Sequence, residues 1–196
     1  LKKLDKRINL IINKKSLGAG LSRNLAIKKS KGKFISFLVL FDLWNKNKIE
    51  YQLKFMKKRK YLISHTSYKI INKSNRVLGF RKARKFYNVN QLLKSCDIGL
   101  SSVIIKKNII KKNCLFPNLK TKEDFVLWLK ILTRNIKIGS IDRNLMYWRK
   151  LNSSLSSSLI QKMFDGFRVY NDYMKFNFFK SLYLLFCLSI NFLKKR

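Results

Sequence analysis

Carboxylates are scarce in this chain, so those standing at element boundaries are the first places to look for chemistry. Nine Asp and Glu residues face 45 Lys and Arg. Asp42 follows the apolar run KFISFLVLF and precedes a helical pattern, so it sits where a strand hands over to a helix. A carboxylate there could serve a hard divalent cation, which takes oxygen ligands. One carboxylate is rarely enough for that, and a turn-forming Asp is the plainer alternative. Glu123 and Asp124 open a second helical pattern, TKEDFVLWLKIL. Thr121 three residues before Asp124 outlines a capping box, and the helix dipole favours acids in a first turn. Arg23 and Arg149 carry a permanent charge on a bidentate fork suited to phosphate; either is equally a surface cation in so basic a chain.

Other reactive side chains point away from metal or thiol chemistry. His65 is the only histidine, and its setting YLISHTSY reads as a strand. Cys96, Cys114 and Cys187 are odd in number and widely spaced, with no C-x-x-C pair. That pattern argues against a zinc site and against a disulfide framework, so a reducing compartment is the default.

The elements that must position these residues alternate. Residues 8–12 (INLII) and the run KFISFLVL read as buried strands, the second suited to the centre of a parallel sheet. A short helix from Leu21 lies between them. Asn45 is placed to cap a helix whose apolar face is Ile49, Leu53 and Met56. YLISHTSYKII, RVLGF, SSVIIKK, NIKIGSI and NLMYWRK read as further strands, with the helix from Thr121 among them and NSSLSSS as a polar loop and cap. Strands alternating with helices indicate an α/β domain, and 196 residues with 46% hydrophobic content suit a single core. Aromatics at 13%, one Pro and seven Gly exclude a disordered or collagen-like chain.

The formal charge of +36 admits three readings: phosphate contacts to nucleic acid, attraction to an anionic membrane, and a bias toward Lys, Asn and Ile, which share AT-rich codons. Lysines spread evenly through NKNK, KKRK and IIKKNIIKKN favour composition bias first and nucleic acid last. The tail SLYLLFCLSINFL before KKR is too short to span a bilayer; it reads either as a packed helix or as an interfacial one.

Three stretches taken in order, GAGLSRNLAIKKSKGKFISFLVLFDLW, TKEDFVLWLKIL and YWRKLNSSLSS, resemble family 2 glycosyltransferases, the inverting family with a GT-A fold. The likeness runs from Asn13 to Ser158. It implies a mixed α/β sheet flanked by helices, lacking here the first strand, helix and strand; with Leu1 in place of Met, the chain is read as a fragment beginning inside a domain. It divides the chain into a partial transferase domain over residues 1–158 and a helical region over 159–196. Arg23 and Asn24 match the family's ARN and stand near the donor nucleotide. Its D-x-D turn, LDSDDxW, holds Mg²⁺ or Mn²⁺ against the donor diphosphate; here Val39 and Phe41 replace two of its acids and Asp42 remains. Asp124, with Glu123 beside it, matches the general base of EDxxLWL. Trp148 and Arg149 match the family's YR, Ser154 and Ser156 its serines, and Leu151 replaces its His. Trp128 and Trp148 read as core residues before sugar platforms. The resemblance implies a nucleotide-diphospho-sugar donor, a polysaccharide or lipid-linked glycan acceptor and a cytoplasmic site near the membrane. The rival expectation is an inactive basic module on anionic lipid or nucleic acid.

Overall fold

A computed structural model of the protein describes residues 5–151 and 158–194. Six strands form one mixed sheet: β1 (Phe34–Ser36), β2 (Leu43–Trp44), β3 (Ile63–Ile71), β4 (Val77–Arg81), β5 (Ile104–Lys106) and β6 (Ile138–Arg149). Their order is β1-β5-β3-β6-β2, with β4 also against β3. β3 and β6 run parallel from Ile63 opposite Ile138 to Ile71 opposite Arg149, and the other pairs are antiparallel. The helices are α1 (Gly18–Lys29), α2 (Lys48–Arg59), α3 (Val89–Leu93), α4 (Glu123–Leu132), α5 (Leu159–Arg168) and α6 (Phe178–Leu193). The mixed α/β class is the one expected.

α4 forms the centre of the core. Phe125, Val126, Leu127, Trp128, Leu129 and Ile131 are all fully buried, so the helix is enclosed on every side rather than on one stripe. It packs with Ile63, Ile105 and Ile138 of the sheet and with Tyr170, Leu184 and Leu188 of the C-terminal helices. Trp128 is therefore a core residue. Period-two alternation then turns Ser64 to the opposite side of β3 from Ile63, toward α2. There Gln52 donates to the Ser64 carbonyl (2.9 Å) and the Ser102 carbonyl (3.1 Å).

Several expectations are corrected. Residues 8–12 form no strand, and Leu10 and Ile12 are exposed, because no described segment pairs with them. The run from Phe34 yields only the three residues of β1. They pair antiparallel with β5 at the sheet's edge, not its centre, and Leu38, Leu40 and Phe41 beyond them are exposed. Asn45 is not the cap of α2, which starts after Asn47; its side chain instead accepts from the Asn47 amide at 3.0 Å. Met56 of α2 is buried as expected, but Lys48 and Gln52 are buried in place of Ile49 and Leu53, since Ser64 and Ser102 offer Gln52 polar partners. NIKIGSI and NLMYWRK join into the single strand β6.

The C-terminal region is helical. The Ser158 side chain accepts from the Gln161 amide and caps α5. Ser154 and Ser156 lie outside the described residues. α6 contains the apolar tail, and no described helix is long and apolar enough to cross a membrane.

Candidate active site

A glycine lets α1 approach the start of α4 closely. A Cβ on Gly20 of α1 would stand 2.7 Å from the Pro117 carbonyl oxygen and 3.4 Å from Cγ of Glu123, so only Gly allows α1 this near the start of α4. One turn on, Arg23 forms an ion pair with Glu123 and lies 5.5 Å from the Phe116 ring centroid. Asn24 clamps the same segment, donating to the Phe116 carbonyl (2.8 Å) and accepting from its amide (3.0 Å). Arg23 and Asn24 thus fasten α1 to the loop that enters α4.

That loop delivers Asp124. Lys122 before the helix has a left-handed backbone (φ 65°), and no side chain caps α4. The Thr121–Asp124 capping box does not form: the Thr121 hydroxyl donates to Asp165 Oδ2 (2.9 Å), as does its amide (2.8 Å). Among the described residues, Asp124 accepts from the adjacent Phe125 amide (2.8 Å). Burial pushes its carboxyl up to about 6, and the neighbouring Glu123 charge adds to the rise; Arg23, Lys122 and the Phe125 amide pull the other way. The result is a carboxylate whose basicity is raised toward neutrality.

Asp42 sits in a second cluster. Its Oδ2 accepts from the Ser101 hydroxyl (2.6 Å) and its Oδ1 from the Arg149 amide (3.1 Å). Ser101 Oγ also accepts from the Val39 amide, and the Ser101 carbonyl from Trp44 Nε1. Arg149 donates from Nε to the Phe41 carbonyl (3.0 Å) and from Nη1 to the Asn72 carbonyl (2.8 Å). Asp42 and Arg149 are therefore brought together, and both stitch the 38–42 turn to its neighbours. Burial raises the Asp42 carboxyl, against the Ser101 and Arg149 donors that lower it. The residues present do not fit the divalent cation that the resemblance implies. Both oxygens of Asp42 already accept protein donors, Val39 and Phe41 offer none, and among the described residues no three His, Cys, Asp or Glu side chains gather.

Tyr68 packs against the loop that carries Ser101. A Cβ on Gly99, two residues before Ser101, would lie 3.1 Å from the Tyr68 ring. Tyr68 also feels the Asp124 charge, one of the smaller causes, after burial, that push its hydroxyl upward. Trp148 packs on Tyr68, Ile70 and Met146. His65 is a buried strand residue bonded to the Arg84 carbonyl, and burial drops it to about 4. Ser101, Tyr68 and Asp165 were not singled out from the sequence; a lone Ser, a strand Tyr and a distant Asp carry no pattern that would mark them. Two surface hollows, one near Arg81 and Arg84 and one near Lys106 and Lys107, include none of Arg23, Asp42 or Asp124.

The profile of Glycosyl transferase family 2 matches residues 1–112. The chain belongs to that family. A family relative of Escherichia coli, UDP-Glc:alpha-D-GlcNAc-diphosphoundecaprenol beta-1,3-glucosyltransferase WfgD, is 34% identical over 183 residues, covering 92% of this chain and 71% of its own length. A glycosyltransferase of Rickettsia felis is 38% identical over 148 residues, 73% of this chain; the chain spans only 24% of that relative's length. The crystal structure of Staphylococcus aureus TarS 1-349 in complex with UDP-GlcNAc superposes with a TM-score of 0.66 at 18% identity, over 89% of this chain and 52% of that one. The structural likeness confirms the GT-A-like fold of this family 2 chain.

Proposed function

We propose that this family 2 glycosyltransferase moves a sugar from a nucleotide-diphosphate donor to a hydroxyl of a lipid-linked glycan, with inversion, at the cytoplasmic face of a membrane. The observation that carries the reading is Asp124: a carboxylate raised toward neutrality, held at the start of a largely buried helix beside the Arg23–Glu123 ion pair. In the reaction, an acceptor oxygen attacks the anomeric carbon from the face opposite the leaving group. Asp124 takes the hydroxyl proton, the new C–O bond forms, and the bond to the diphosphate breaks. A carboxylate raised toward neutrality is a stronger base than a free one and lies closer to the optimum for proton removal near pH 7. Arg23, paired with Glu123, offsets part of the Glu123 charge that raises Asp124. No metal step is assigned, because the Asp42 turn does not fit one. The positive charge of Arg149 beside that turn offsets the leaving diphosphate by proximity, since its fork is already engaged with backbone carbonyls.

WfgD supplies the first pair of substrates to try, UDP-glucose and a GlcNAc-diphospholipid. Incubation of the protein with a panel of nucleotide sugars and that acceptor, followed by NMR of the new anomeric centre, tests the reading. Transfer with retained configuration refutes the single displacement, and no hydrolysis or transfer with any donor refutes the activity.

A further inference from the structure

α5 and α6 lie side by side over the core. Gly166 permits the contact, since a Cβ there would come within 2.9 Å of Leu185. Phe167 and Phe178 meet edge-on with centroids 5.5 Å apart, and the Lys162 ammonium lies 5.6 Å from the Phe192 ring. The inward sides are buried at Asp165 and Gly166 on α5 and at Ser181, Leu184, Leu185 and Leu188 on α6. The outward sides should be polar in a water-facing helix pair, and they are not. Ile160 is 82% exposed and Phe164 63% on α5; Phe179 is 81% exposed and Phe186 64% on α6. Spacings of four and seven residues line these side chains along one face of each helix. α6 has no acid at all, and Asp165, the only acid of α5, is buried. Exposed Lys175 precedes α6, exposed Lys180 lies in its first turn and exposed Lys194 follows its last residue, while Asp172 between the two helices pairs with Arg168.

We infer that the outward face of α5 and α6 docks into an anionic bilayer, with its aromatic and aliphatic side chains at the acyl boundary and the lysines among the headgroups. This rests on the lipid-linked acceptor proposed above and adds the surface that meets the lipid. Charge selects the occupant. A second copy would press one +36 chain against another, whereas anionic lipid supplies the missing counter-charge. The contact also reaches the site: Asp165 of the docking helix accepts both the amide and the hydroxyl of Thr121, three residues before Asp124. Docking therefore fixes the height of the proposed base above the membrane plane.

Vesicle flotation tests this with the whole chain and with Ile160→Ser/Phe179→Ser/Phe186→Ser, in phosphatidylcholine alone or mixed with phosphatidylglycerol. The three side chains touch solvent rather than core, and circular dichroism checks that the variant keeps its helices. The formal charge is unchanged, so purely electrostatic binding would survive. The expected result is strong binding to the mixed vesicles that falls at least about tenfold in the variant. Phe179→Trp should in addition be quenched by brominated lipid. Equal flotation of variant and parent, or an unquenched Trp, overturns the inference. So does a dimer, seen by sedimentation, that the triple variant dissociates while vesicle binding stays the same. Donor binding measured on the same samples separates the two readings: a protein that floats as expected but binds no nucleotide sugar sinks the transferase reading and leaves the docking face standing.

Discussion

Replacing Asp124 by Asn should make the protein more stable and less active at once. The carboxyl is raised from 3.8 to about 6, chiefly by burial. Each pKa unit corresponds to about 1.4 kcal/mol, so the buried charge costs about 1–3 kcal/mol, the lower end applying if the shift is shared with Glu123. The sign follows from proton binding: the folded state holds the proton more tightly than the unfolded one. Below a pH of about 4 both states are protonated and the cost is absent; it grows as the pH rises toward about 6 and is complete above that. Asn carries no charge and its side-chain oxygen can still accept from the Phe125 amide. Urea denaturation of both proteins across this range should show the Asn form gaining on the parent through the window and then holding a constant lead. Transfer should fall by about two to four decades above about pH 6, where the parent base is ionised, and by less at lower pH. A stability difference that does not change with pH would refute burial as the cause of the shift. A variant that turns over normally would leave Asp124 as no more than a residue at a helix end.

Gly20→Ala should destabilise the protein by about 1–3 kcal/mol, because its Cβ meets the Pro117 backbone and must push α1 away from α4; thermal denaturation reads this, and a neutral result would mean the contact yields easily. Calorimetry with nucleotide sugars, with and without Mn²⁺, should find no metal-dependent binding to the parent chain and should find it in Val39→Asp/Phe41→Asp. Both positions are exposed, so the new acids stay hydrated, and metal-dependent binding by the parent would show that Asp42 suffices. Lys48→Met should stabilise the fold near neutral pH. Burial lowers the Lys48 ammonium from 10.5 to about 7, so the parent becomes more stable as pH rises between those values, and the Met form, lacking that dependence, should gain most at or below pH 7. Denaturation at pH 6.5 and 9.5 compares them, and an advantage that does not shrink at the higher pH refutes the assignment.

The parts legible in the sequence were those set by local pattern. β3, β4 and α4 lie where their runs place them, because apolar alternation and an apolar helix repeat are local properties. Failures came where a partner decided the outcome. INLII has strand composition, but a strand needs a neighbour, and none of the described residues provides one. Beyond Met56, the face of α2 is not legible in the sequence, because Lys48 and Gln52 look like solvent-facing residues; Ser36, Ser64, Ser102 and the Trp44 ring, supplied by other elements, make them buried ones. At the candidate site, the family motifs located Arg23, Asn24, Asp42, Glu123, Asp124 and Arg149. They could not show that Arg23 pairs with Glu123 or that Asp42 is occupied by Ser101, since both are contacts across the fold.

The strand order carries a consequence for how the chain reaches this fold. Among the described strands, only β3 and β4 are both consecutive in sequence and adjacent in the sheet. That hairpin can close early. Every other pairing waits for distant chain: β1 for β5, β2 for β6, and the long parallel seam of β3 for a strand that begins at Ile138. Loop closure on that scale slows folding. During synthesis, the second edge of β3 stands open, with Ile63, Ile70 and Ile71 unsheltered, until β6 leaves the ribosome. Such an edge invites pairing with another chain. Crowded expression should therefore send this protein to aggregates through β3, and slower translation before residue 138 should lengthen the exposure rather than relieve it.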